Sequence, residues 1–334
     1  MIDRRDLPLL GALAGAVLAL LLLSLAWGDS RIAFLPALRD LLAGRHSAGA
    51  VILGELRLPR ALLAASVGAT LGLSGAVLQG YLRNPLADPG ILGVSGGAAL
   101  GSVLVFYTGL TAVSVLMLPL GGLAGALLAV LLLMGLVGQG GALVLLLAGA
   151  ALSSFAAALT ALALNLMPSP YASFEIMRWV MGSLTDRTFT HVWVSLPGII
   201  AGWILMMTTA RALDALALGD EVAESLGFRL RGARGVQARV ILGAALAVGS
   251  SVAVSGAIGF VGLIIPHLLR PLTGHQPARL LLPAALGGAL LLLVSDAAVR
   301  LLSGGTELQI GVVTALMGAP VFFHRVVAMR RGVS

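Results

Sequence analysis

The chain contains no cysteine and no lysine. Without cysteine it can build neither a disulfide framework nor a thiolate metal centre. Without lysine it cannot carry the GxxxxGK[ST] loop that cradles nucleotide phosphates, and a Schiff base is excluded for the same reason. All 21 basic residues are therefore arginine. Charge of either sign is scarce, at 10% of 334 residues, where a soluble domain carries about a quarter. The five histidines, His46, His191, His267, His275 and His324, show no HxxxH or HExxH spacing, so a metal enzyme has little support. No catalytic residue, cofactor or metal site is expected.

Apolar residues fill the place of the missing charge. They make up 59% of the chain, and the mean hydropathy is +1.04, the composition of a chain whose solvent is mostly lipid. A soluble all-helical protein would need more polar surface than this. Glycine is abundant at 44 residues, and small residues let membrane helices approach closely. The net charge of +7 does not point to nucleic acid, because the arginines form no single stripe and instead mark loop ends.

Stretches of about 20 apolar residues can cross a bilayer as helices. They occur at 7–27, 61–80, 91–110, 113–137, 142–166, 191–210, 240–269, 281–301 and 308–324. The first follows Arg4 and Arg5 and could pass for a secretory signal. Its apolar run is long and no small-x-small cleavage site follows, so a retained anchor is expected. The stretch 240–269 is ambiguous. As one helix it would rise about 45 Å, more than a crossing needs. Arg229, Arg231, Arg234 and Arg239 precede it, and Arg270 and Arg279 follow it. Positive loops prefer the cytoplasm, so an even number of crossings is expected here. The result is an all-α, polytopic single domain over 1–334, with ten spans and both termini cytoplasmic. Thirteen arginines then fall inside. Eight fall outside: Arg31, Arg39, Arg45, Arg57, Arg60, Arg178, Arg187 and Arg300. That outer group needs its own explanation.

Three polar segments interrupt the apolar pattern. The first runs from Gln79 to Gly90 and includes Asn84, Pro85, Asp88, Pro89 and Gly90. Two prolines four apart and an Asp-Pro-Gly turn exclude an ordinary helix. It is either a plain interhelical loop or a shaped cytoplasmic element beside a transport path. Gly93, Gly96, Gly97 and Gly101 follow and offer a smooth helix face. The second segment, about 213–235, holds Leu218, Gly219, Asp220, Glu221, Ala223, Glu224, Ser225, Leu226 and Gly227. Gly219-Asp220 should start a short helix with acidic residues at its positive end, and Gly227 should stop it. By itself this reads equally as a surface helix or as a docking element for a soluble partner. The third is Leu56-Arg57-Leu58-Pro59-Arg60, with Arg300 four residues after Asp296. Arg300 either forms a neutralising i,i+4 pair or serves function, since an intramembrane charge is costly.

Taken in order, these segments resemble the FecCD family, the permease subunits of type II ABC importers for ferric siderophores, haem and cobalamin. The likeness covers nearly the whole chain. Besides Leu56–Arg60 and the segment from Arg83 to Gly93, it takes in Gly75-Ala76-Val77-Leu78-Gln79, Trp179-Val180-Met181-Gly182-Ser183-Leu184 and Leu218-Gly219-Asp220-Glu221. It continues in the stretch from Gly256 to His267 and in Gly318-Ala319-Pro320. The sequence departs from the family at Gln309, in Glu307-Leu308-Gln309-Ile310-Gly311, where the family usually has proline.

The resemblance implies a homodimer of ten-helix subunits in the bacterial inner membrane. Two ATP-binding cassette ATPase subunits would dock beneath it and a substrate-binding protein outside, with lipid around it and no nucleic acid. It implies that the stretch 216–227 couples to the ATPase and that Arg57, Arg60 and Arg300 meet the binding protein. It also implies that the fifth span, with Gly149, Ser153, Ser154 and Ala157, lines the path. Cargo would be an iron chelate, with a ferric siderophore first and haem or cobalamin as alternatives. An ion-gradient transporter would instead need paired carboxylates deep in the spans, and only Asp296 lies within one. A membrane scaffold would need no coupling loop.

Overall fold

The computed structural model describes all residues except 1–3, 29–31, 115, 139, 168, 233, 303–307 and 331–334. Arg31, Arg331 and Glu307 therefore lie outside the described residues. Among the described residues every regular element is a helix. The helices are α1 (Leu7–Ala26), α2 (Phe34–Leu42), α3 (Ala48–Val51), α4 (Leu58–Leu82), α5 (Val94–Tyr107), α6 (Met117–Val137), α7 (Ala142–Asn165) and α8 (Pro170–Val180). They continue with α9 (Phe189–Met207), α10 (Ala210–Leu216), α11 (Asp220–Ser225), α12 (Val236–Ser255), α13 (Val261–Leu269), α14 (Pro277–Leu302) and α15 (Ile310–Arg330).

Seven helical stretches among the described residues are long and apolar enough to cross a membrane. With the shorter apolar helices Val94–Tyr107 and Ile310–Val321, and with α13, they make the expected set of ten. The stretch 240–269 does form two helices, but unequal ones. The full crossing is α12, and the chain breaks only after Ser255. The nine residues of α13 rise about 14 Å, half a bilayer core. Gly256 (φ 69°) turns the chain, and Phe260 sits at φ 68°. A left-handed backbone is uncommon for a bulky residue. Non-helical backbone at this depth is tolerated where protein covers it. Here the cover is the end of α8 and the start of α15: a Cβ on Gly256 would lie 2.1 Å from the Trp179 carbonyl oxygen, and Gly311 abuts Met181 and Ala257.

At the centre stand α4 and α12, each 83% buried over its most apolar window, whereas only 6% of α1 is enclosed. Lipid-facing leucines such as Leu18 and Leu22 therefore remain on the outside of the single chain. Two helix pairs meet backbone to backbone. A Cβ on Gly101 of α5 would stand 2.1 Å from the carbonyl oxygen of Gly121 in α6, and one on Gly125 would stand 2.1 Å from that of Gly97. Likewise Gly68 and Gly72 of α4 press on Gly288 and Ala284 of α14. The glycine face expected after residue 93 is thus a packing face, with Gly93 against Leu152 and Gly96 against Ala156 of α7.

The bundle has two distinct ends. At one end the start of α1, the end of α4 and α10 meet the start of α14, and α11 lies against α10. Arg279 makes a two-pronged pair with Asp6, and Asp214 accepts the Ala278 N–H at 2.8 Å, capping α14 from a neighbouring helix. At the opposite end α1 stops beside the start of α4 and the end of α14, around Asp296.

Candidate functional site

At the α11 end, the short helix forms where expected. Gly219 precedes it at φ 115° and Gly227 follows it at φ 87°, backbone angles that a side chain would strain. Ala223 is fully buried beneath the helix, and the Ser225 hydroxyl donates to the Val222 carbonyl at 2.8 Å. Glu221 and Glu224 face solvent. Leu218, Val222 and Leu226, spaced four apart, are 69%, 39% and 60% exposed. A polar end of the molecule thus carries a bare apolar ridge. The helix is moored by Asp220, whose carboxylate accepts from Arg83 at 2.7 Å, both side chains being about half exposed. Arg83 is the left-handed C-cap of α4 (φ 49°).

The segment after Arg83 is shaped, not slack. The Asn84 side chain accepts the Leu86 N–H at 2.9 Å, and the Asp88 side chain accepts the Gly90 N–H at 2.8 Å. Pro89 then opens a short 3-10 turn to Leu92. Pro85 is the middle residue of the first of these turns and Pro89 of the second, and Pro89 packs against Gly262 of α13. Burial pushes the Asp88 carboxyl up, against the opposing effect of the Gly90 N–H. A cavity of about 390 Å³ opens here, lined by Asp88, Gly259, Phe260 and Leu263.

Of the four residues expected to line a path in α7, two face this same loop. The Ser153 hydroxyl donates to the Gly90 carbonyl at 3.2 Å, and Gly149 is buried against Ile91 and Leu92. Ser154 and Ala157 are exposed, Ala157 one turn beyond Ser153 on α7.

The opposite end accounts for Arg57, Arg60 and Arg300. The last carbonyls of α1 have no helical donors, and arginines meet them. Arg57 donates to the Leu25 and Ala26 carbonyls at 2.8 and 3.1 Å. Arg300 donates to the carbonyls of Ser24 and Trp27 at 3.0 and 3.1 Å. Arg60 and Arg300 also clasp Asp296 from two sides, at 2.8 and 2.5 Å. The i,i+4 pair read from the spacing is therefore real, and Arg60 makes it a triad. A π-helical turn over Ile52–Arg57 precedes α4. Such wider turns shift the phase of a helix, and here Arg57 points to α1 while Arg60 points to α14, so the two do not share a target. Exposure is 6% for Arg57 and 14% and 9% for the side chains of Arg60 and Arg300.

Two residues with a part in this site carry no role in the sequence reading, Gln79 and Phe260. The only sequence signal for Gln79 is a polar amide in the last turn of an apolar helix.

A sequence model of the FecCD transport family matches residues 16–330. The chain belongs to the FecCD transport family. It is a multi-pass membrane permease of that family's ABC importers. Among similar proteins is the Fe(3+) dicitrate transport system permease protein FecD of Escherichia coli K12, 39% identical, with 96% of each chain covered. The hemin transport system permease protein HmuU of Yersinia pestis is 39% identical over 83% of each. The vitamin B12 import system permease protein BtuC of Salmonella paratyphi A is 40% identical over 96% of this FecCD chain and 95% of its own. Among solved structures, an ABC transporter described as metal-chelate type and inward-facing superimposes with a TM-score of 0.81. It shares 31% identity and covers 96% of this chain and 99% of its own.

Proposed function

We propose that this permease forms, with a second copy of itself, the path by which an iron chelate enters a bacterial cell, driven by ATP hydrolysed on separate ATPase subunits. The observation that carries the ATP-driven reading is the exposed apolar set Leu218, Val222 and Leu226, on and beside a short helix moored to α4. Exposed apolar side chains on a water-facing helix mark a surface that a soluble partner covers. In this reading the α11 end is cytoplasmic, both termini lie inside, and the ATPase receives α11. The lysine-free chain has no phosphate-binding loop of its own. A substrate-binding protein docks at the Asp296 end. Arg57, Arg60 and Arg300 serve that docking chiefly by holding the ends of α1 and α4 in shape. Ser154 and Ala157, with the exposed apolar residues Leu147 and Phe155 of the same helix, face the second copy and the path.

An iron chelate is favoured because two of the three relatives named above carry iron in chelated form. A ferric siderophore is the first candidate, followed by haem and cobalamin. The test is uptake into liposomes holding the permease with its ATPase subunits and binding protein. ATP-dependent uptake of a ferric siderophore, with haem and cobalamin excluded, is the expected result. ATP-dependent uptake of haem or cobalamin instead would replace the cargo and keep the machine. Uptake driven by an ion gradient without the ATPase would overturn the reading.

A further inference from the structure

Gln79 lies in the last turn of α4, only 2% exposed, and its side chain is fully engaged. Its amide nitrogen donates to the carbonyls of Ala87 at 3.3 Å and Gly262 at 3.2 Å, while its oxygen accepts from Arg270. One amide thus touches the 84–90 segment, the first turn of α13 and the residue that ends α13. The need for it is written in α13. The Gly262 carbonyl would ordinarily accept from the N–H four residues on, but that residue is Pro266, which has none. An unmet buried carbonyl is costly, and Gln79 meets this one. One turn earlier on the same face of α4, a Cβ on Gly75 would stand 2.0 Å from that same carbonyl oxygen. At this point α4 and α13 touch backbone to backbone.

We propose that Gln79 is the positioning residue that carries a displacement of α11 to the cavity between the 84–90 segment and α13. This rests on the ATP-driven reading above. The displacement enters at Asp220, passes to Arg83 at the cap of α4, and reaches Gln79 one helical turn back. From Gln79 it divides. One branch moves the 84–90 segment, held by the Ala87 bond and by the Asn84 N–H on the Gln79 carbonyl at 3.2 Å. The other moves α13, a short piece with a break before it at 256–260. The cavity walls are built from these two pieces and the break that joins α12 to α13: Asp88 from the first, Leu263 from α13, and Gly259 and Phe260 from the break. Gln79 therefore sets the distance between them.

The test uses the full transporter in liposomes, with uptake and ATP hydrolysis measured on one preparation. The unmodified protein first shows whether uptake needs ATP; failure there removes the functional reading, independently of Gln79. With Gln79→Leu, uptake per ATP is expected to fall about tenfold while hydrolysis persists, as befits loss of a charge-assisted hydrogen bond. If uptake and hydrolysis fall together at an unchanged ratio, Gln79 is a structural residue only and the proposal fails. Adding Pro266→Ala separates the roles further, because it gives the Gly262 carbonyl a helical donor. The double variant is expected to regain thermal stability but not uptake per ATP; recovery of the ratio would overturn the proposal. Should Gln79→Leu fail to assemble, Arg270→Leu cuts the tie from the α13 side and leaves both carbonyls bonded to Gln79. An unchanged ratio in that variant overturns the proposal equally.

Discussion

Helix α4 begins among arginines that are almost enclosed and ends on one that stands half in solvent. At the Asp296 end, two guanidiniums close on one carboxylate that is 1% exposed. At the α11 end, Arg83 and Asp220 pair with 48% and 47% of their side chains exposed. The chemistry is the same and the consequences differ. A buried carboxylate between two cations cannot lose a partner cheaply, because the remaining charge is stranded. An exposed pair can part and re-form, since water takes over at little cost. One end of α4 is fixed, and the other can follow α11.

The sharpest way to break this contrast is Asp296→Ala. It should destabilise the permease by about 3–5 kcal/mol, the cost of stranding buried charge, read as a lowered thermal midpoint of the purified protein. A loss below about 1 kcal/mol would place the pair with exposed ones. Next in size is Asp6→Ala, which strips Arg279 of its two-pronged partner at the α11 end, where the Asp6 side chain is 4% exposed. A loss of about 2 kcal/mol is expected, as for hydrogen bonds to charged groups. It would show that burial governs the difference, not which end of the bundle a pair occupies. The smallest effect on stability belongs to Arg83→Ala, at most about 1 kcal/mol, with a nearly unchanged midpoint. Uptake per ATP should nonetheless drop, because Arg83 is the mooring of α11. An unaffected ratio would detach α11 from α4 as a working unit.

Much of this was legible from local chemistry. Long apolar runs separate cleanly from loops, so the spans of α4, α6, α7, α9, α12 and α14 follow from composition. Gly219 and Gly227 bracket α11 because backbone sign is a one-residue property. The Asp296–Arg300 pair follows from helical spacing. What escaped depends on contacts between distant segments. Nothing near Arg57 or Arg60 reveals that their targets are the end of α1 and a carboxylate 236 residues away. The geometry ties each of them within the chain, Arg57 to α1 and Arg60 to Asp296. The two helices expected in 240–269 are there, but the position of the break after Ser255 has no local signal, because α13 is a half-length helix held from outside by Gln79. Pro266 and Gln79 are complementary, yet 187 positions separate them in the sequence. The helix α8 was passed over because its polar residues, including Glu175 and Arg178, dilute the apolar signal.

The glycine contacts carry one last consequence, a mechanical one. At Gly101 and Gly125 between α5 and α6, and at Gly72 and Gly288 between α4 and α14, backbone meets backbone. Rotamers are what normally let packed helices slip in small steps, and at these points there are none to turn, so each contact acts as a pivot. The short, broken α13 meets α4 at a pivot of the same kind, Gly75 against Gly262.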